Sequence, residues 1–209
     1  MSKGTFVILA SGAGSNARVL LAHAKKHSEK MSALAVISDR AEAPVLQIAE
    51  EFGIPSFVID AKNEGSLLAI LRRYKPDWAC LAGYKKIVGK SFLDFFDDKG
   101  LGFSRVMNVH PSLLPAYPGL HGYERAFHDG VKISGVTVHL VDAGLDTGKV
   151  ILQGAFEREE KDSLQDFEAK GRKLEHKLFP KALDLAMAGK LALVKKSNHS
   201  WISIRGKKQ

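Results

Sequence analysis

One cysteine in 209 residues, Cys80, excludes an intramolecular disulfide. It sits in the apolar run Trp78-Ala79-Cys80-Leu81-Ala82 and reads as a small buried hydrophobe. Long apolar stretches are also missing. Thr5–Ala10 and Val150–Leu152 are far too short to span a bilayer, so no membrane partner is expected. The start, Met1-Ser2-Lys3-Gly4-Thr5, has none of the apolar core of a secretory leader, and the expected compartment is the cytoplasm. No repeat, no low-complexity linker and no His/Cys/Asp spacing of a zinc site is present. The net charge of +8 comes partly from Lys195-Lys196 and from Arg205, Lys207 and Lys208, with no long basic run and no interleaved aromatics. That pattern speaks against nucleic acid as a partner. A positive surface drawing in small anionic substrates explains it as well.

What is there is a regular alternation. Thr5–Ala10 reads as strand, and Asn16–His27 as helix with Val19, Leu20 and Ala24 on one face. Leu34–Ile37 is strand, Pro44–Phe52 helix, Phe57–Ile59 strand, Ser66–Tyr74 helix, and Trp78–Ala82 and Arg105–Val109 strands. Such alternation predicts an α/β fold, a single-domain Rossmann-like, mostly parallel sheet flanked by helices. Beyond Pro118 a short helix near Tyr123–His128 leads to two β runs, Gly135–Leu140 and Val150–Phe156. A long helix follows, with a capping box expected at Asp162 and Gln165 and a kink at Pro180. The domain is expected to span 1–196, with 197–209 a short, loosely held basic tail.

Two segments carry chemistry. Asn108-Val109-His110-Pro111-Ser112-Leu113-Leu114-Pro115 ends a buried strand in a stiff loop, because X-Pro steps disfavour helix. Leu114-Pro115 is a candidate cis bond. Asn108 can hold a developing oxyanion, His110 can exchange a proton near neutral pH, and the distant Asp146 can fix the imidazole tautomer. The set suits transfer of a carbonyl-bearing group, with His110 protonated when it meets the oxyanion. The bland alternative is a satisfied structural histidine. His121 and His139 read as groups that order their surroundings. Ser11-Gly12-Ala13-Gly14-Ser15-Asn16 is the second segment, a glycine turn opening a helix whose free amides and dipole favour an anion. It is neither a Walker loop nor a complete dinucleotide fingerprint, so phosphate binding and a plain tight turn both remain open.

Together these segments resemble the phosphoribosylglycinamide formyltransferases, folate-dependent enzymes of purine synthesis. Further blocks fit in order: Ile37-Ser38-Asp39-Arg40-Ala41, Leu81-Ala82-Gly83-Tyr84, Tyr117-Pro118-Gly119-Leu120-His121, Thr137-Val138-His139, Leu145-Asp146-Thr147-Gly148, and the late pair Glu175-His176. The resemblance implies a formyltransferase-type fold and transfer of a formyl group from 10-formyltetrahydrofolate to the amine of glycinamide ribonucleotide, without a metal. Carried over by position, Asn108, His110 and Asp146 are catalytic. Gly14, Ser15, Asn16 and Arg172 would hold the phosphate, Glu175 the ribose hydroxyls, and Gly83 the glycinamide end. Folate would lie against Lys86, Ile87, Val88, Val141, Ala143 and Gly144. The oligomeric state is left as monomer or homodimer. A methionyl-tRNA formyltransferase or a formyltetrahydrofolate hydrolase would carry a further domain that this chain has no room for. A non-catalytic nucleotide-binding module would not need Asn108, His110 and Asp146 together.

Overall fold

The computed structural model describes residues 3–197 and 199–206. The chain divides into two compact units, one running to Asn108 and one from Val109 onward. In the first, β1 (Gly4–Leu9), α1 (Ser15–Lys26), β2 (Met31–Ser38), α2 (Val45–Glu51), β3 (Ser56–Val58), α3 (Glu64–Tyr74) and β4 (Trp78–Leu81) alternate as the sequence predicts. Then come α4 (Lys90–Phe95), the two-residue strands β5 (Asp97–Asp98) and β6 (Phe103–Ser104), and β7 (Val106–His110), which runs across the division. The second unit continues with α5 (Gly122–His128), β8 (Ile133–Leu140), β9 (Val150–Glu157), α6 (Leu164–Met187), β10 (Leu191–Lys196) and β11 (His199–Ile204).

Seven strands form a mixed, mostly parallel sheet in the order β3-β2-β1-β4-β7-β8-β9. β1 pairs in parallel with both β2 and β4, β2 with β3, and β4 with β7. β1 reads as an unbroken apolar run because Phe6 through Leu9 are wholly buried, the mark of a strand covered on both faces. β8 and β9 pair antiparallel, and β9 alternates between more and less exposed residues, as a sheet-edge strand does. The strand order reverses between β1 and β4. In open α/β sheets the loops leaving the strands at such a point are where ligands bind.

Two expectations need correction. The capping box of α6 lies one residue further on: the Ser163 hydroxyl accepts from the Asp166 amide, and the Asp166 carboxylate accepts from the Ser163 amide. Asp162 instead accepts from the Glu159 amide and pairs with Lys170. Nor is 197–209 a loose tail throughout. Its residues His199–Ile204 are β11, paired antiparallel with β10 from Leu191↔Ile204 to Lys196↔His199, and Ile202 is buried. Asn198 and residues 207–209 lie outside the described residues, as do Met1 and Ser2. The sequence reading missed this hairpin because Lys195, Lys196 and the polar residues around them mask its period of two. α6 itself runs from Leu164 to Met187 through Pro180.

Candidate active site

In the first unit, the glycine turn follows directly from the buried end of β1. Gly14 caps α1 with φ 76, and a Cβ there would fall 2.7 Å from Val45 Cγ2. Conformation and close approach each demand glycine at this position. The opening amides of α1 lack acceptors within the helix, and its dipole end is positive, so the turn can hold an anion. Ser15 is exposed and Asn16 buried. The Ser11 amide donates to the Gly83 carbonyl at 3.2 Å, and the Ser11 hydroxyl accepts from the Lys85 amide at 2.9 Å. The loops after β1 and β4 are thereby fastened to each other at the strand-order reversal. Gly83 has φ 78 with open space where a Cβ would be, so its requirement is conformational. Lys86, Ile87 and Val88 follow in the loop before α4, with Ile87 85% exposed.

The carboxylate and imidazole foreseen from sequence meet in the second unit. His110, the last residue of β7, is 3% exposed, and its Nδ1 lies 3.2 Å from Asp146 Oδ2. Asn108 precedes it by two, so strand alternation aims both side chains to the same face. Asp146 is held from three directions. Its Oδ2 accepts from the Gly119 amide at 2.7 Å as well as facing His110, and its Oδ1 faces His139 Nε2 at 3.4 Å. His139 reaches it from the buried inner end of β8 and has its Nδ1 2.8 Å from the Leu140 carbonyl.

The loop after His110 is clamped from the neighbouring strands. The Thr137 hydroxyl of β8 donates to the Ser112 carbonyl and accepts from the Leu114 amide. Gln153 of β9 donates to the Leu114 carbonyl and to Thr137. Leu114-Pro115 is cis. The loop returns the Tyr117 carbonyl to within 2.8 Å of His110 Nε2.

Both ring nitrogens of His110 therefore face oxygen acceptors. A neutral imidazole can donate to one of them, whereas the imidazolium satisfies both. Burial opposes the charge and prevails: it pulls the His110 pKa below the ordinary 6.5, against the Tyr117 carbonyl and the Asp146 charge, which pull upward. Near neutral pH the resting ring is neutral. The two acceptors stand ready for a proton gained during reaction, so a ring neutral at rest is compatible with an imidazolium at the oxyanion. Burial would raise Asp146, but the hydrogen bond from His139, the Gly119 amide and the nearby imidazoles hold its carboxyl below 3.8. Asp146 is thus the anion of the group.

The remaining predicted residues divide. Glu175 of α6 is buried, and its Oε1 accepts from the Tyr123 hydroxyl at 2.6 Å. Its charge reaches His110. Arg172, expected at the phosphate, is exposed and pairs at 2.8 Å with Glu168 one turn earlier on α6. Val141, Ala143 and Gly144 lie in the β8–β9 loop, ordered by Asp142, which accepts from the Gly144 amide and the Thr147 hydroxyl. His121 is mostly exposed and pairs with Glu124. The Tyr117 carbonyl and Gly119 amide escaped the sequence reading because backbone groups leave no residue signature. Tyr123 escaped it because a tyrosine on a short amphipathic helix looks like core.

The pattern described as formyl transferase matches residues 5–183. Among curated proteins, the chain is 38% identical to the phosphoribosylglycinamide formyltransferase of Bacillus subtilis, over 85% of this chain and 92% of that protein. It is 32% identical to the enzyme of that name from Escherichia coli, over 94% of this chain and 92% of that protein. Among solved structures, the phosphoribosylglycinamide formyltransferase of Anaplasma phagocytophilum superposes with a TM-score of 0.89 at 31% identity, over all of this chain and 96% of that one.

Proposed function

The chain belongs to the formyl transferase family, and we propose that it transfers a formyl group from 10-formyltetrahydrofolate to the amine of glycinamide ribonucleotide in purine synthesis. The observation that carries this reading is the buried His110–Asp146 contact, with Asn108 two residues earlier on the same strand. The amine nitrogen attacks the formyl carbon while Asn108 steadies the developing oxyanion, which His110 also stabilises once it has become the imidazolium. Neutral His110 takes up the proton the amine sheds, and Asp146 and the Tyr117 carbonyl stabilise the resulting imidazolium. The bond from carbon to the folate nitrogen then breaks, and that nitrogen receives the proton. Gly14, Ser15 and Asn16 are assigned to the phosphate, Gly83 to the glycinamide end and Glu175 to the ribose hydroxyls. Arg172 serves the phosphate after releasing Glu168. Lys86, Ile87, Val88, Val141, Ala143 and Gly144 are assigned to folate.

The test follows the absorbance change of folate deformylation with glycinamide ribonucleotide as acceptor, then with water alone and with initiator methionyl-tRNA. Turnover only with the ribonucleotide is expected. Turnover in water would make the protein a hydrolase, and turnover with tRNA a different formyltransferase.

A further inference from the structure

Glu175 does not stand by itself in the second unit. The 2.6 Å hydrogen bond from Tyr123 joins two buried side chains from different helices, α5 and α6. The Tyr123 ring is set edge-on against Phe156 of β9 and Phe167 of α6, which fixes its plane. One turn before Glu175, α6 carries Gly171, where a Cβ would fall 2.2 Å from the phenol Cζ and 2.3 Å from its oxygen. Helix interiors disfavour glycine, so this position trades helix stability for room to bring the phenol up to the carboxylate. Burial, and then the Glu175 charge, push the phenol far above its ordinary pKa of 10, so Tyr123 remains a donor wherever the enzyme works. A carboxylate has about four acceptor sites, and the Tyr123 hydroxyl takes one of them on Oε1.

We propose that Tyr123 is a positioning residue that sets ribose recognition, by holding the Glu175 carboxylate in the orientation that receives the sugar hydroxyls. The proposal rests on the reading of Glu175 as the ribose ligand. Tyr123→Phe keeps the ring, its aromatic neighbours and the space opposite Gly171, and removes only the donor. The measurement is kcat/KM for glycinamide ribonucleotide and for its 2′,3′-dideoxy counterpart at saturating folate, in wild type, Tyr123→Phe, Glu175→Gln and the double variant.

Wild type is expected to prefer the ribonucleotide. Tyr123→Phe should lose about tenfold on it, mainly through KM, as for loss of a hydrogen bond to a charged group. It should lose little on the dideoxy compound, so discrimination collapses. The phenol-to-phenyl change should add less than twofold in the Glu175→Gln background. A discriminating wild type beside an equally discriminating Tyr123→Phe overturns the proposal alone, as does an equal loss on both nucleotides. A wild type that turns over both nucleotides equally well overturns the Glu175 assignment and the proposal with it. No turnover of the ribonucleotide at all overturns the proposed function.

Discussion

Asp146 adopts φ 54, Tyr117 φ 53 and His121 φ 61, left-handed conformations that non-glycine residues seldom take. Asp146 and Tyr117 are the two residues whose oxygens face the His110 ring, so strained backbone coincides with the proposed chemistry, as it does in many active sites. Asp146→Asn retains the shape and the amide contact to Gly119 but removes the anion that stabilises a charged His110. It is expected to fold, to bind both ligands, and to lose about 10²–10³ in kcat, the usual cost of removing one preorganised electrostatic partner. Single-turnover rates near wild type would refute the role. Proton linkage gives a second check. With its folded pKa below 6.5, His110 binds a proton more weakly folded than unfolded. Its contribution to stability is complete above 6.5 and is lost as pH falls through the folded value. Asp146, held below 3.8, acts with the same sign further down the scale. Tm is therefore expected to drop from about pH 7.5 to about pH 5.5, and to drop less in His110→Asn. A slope as steep in His110→Asn as in wild type would contradict this account of the buried ring.

Among the elements, α6 makes the sharpest forecast. Gly→Ala within a helix ordinarily stabilises by about 1 kcal/mol. At Gly171 the sign should reverse, because the new Cβ meets the Tyr123 ring at 2.2 Å and overpacking costs about 1–3 kcal/mol. A fall in Tm of roughly 2–4 °C per kcal/mol is expected by calorimetry, and a rise would show that the ring moves aside freely. The elements also differ in how plainly they can be read from residues. β1, β2 and β4 declare themselves because each holds a short buried run that is wholly apolar, residues 6–9, 35–37 and Trp78–Leu81, and α1 and α3 because one apolar stripe repeats at helical spacing. β5 and β6 are two residues each, too short for any period to register. The reading of Asn108, His110 and Asp146 rested on side-chain chemistry, and the structure brings His110 and Asp146 into contact. The partners it missed are a carbonyl and an amide, Tyr117 and Gly119, placed by a loop path that residue types do not encode. Arg172 adds a contact that reading it toward a phosphate did not foresee, a pairing with Glu168 on its own helix.

The whole molecule carries +8, and the surplus is unevenly placed along the chain. After Asp184 come six basic residues, Lys190, Lys195, Lys196, Arg205, Lys207 and Lys208, and no acidic one. Elsewhere cations and carboxylates largely cancel in pairs, such as Arg18–Glu51, Arg105–Asp98 and Lys170–Asp162. The ends of β10 and β11 are thus a source of long-range field. A phosphorylated substrate and a polyanionic folate would be drawn toward such a protein before any contact forms. Attraction at that range is screened once the Debye length shrinks to about 10 Å near 0.1 M salt. The expected signature is a kcat/KM for glycinamide ribonucleotide that falls as salt rises from about 20 mM to about 300 mM while kcat stays level. Lys195→Glu/Lys196→Glu lowers the net charge from +8 to +4 without touching a residue assigned to either ligand. Its kcat/KM should be lower than wild type at low salt and should converge with it at high salt. Parallel salt curves would locate the effect in local contacts and leave the basic hairpin a solubilising surface.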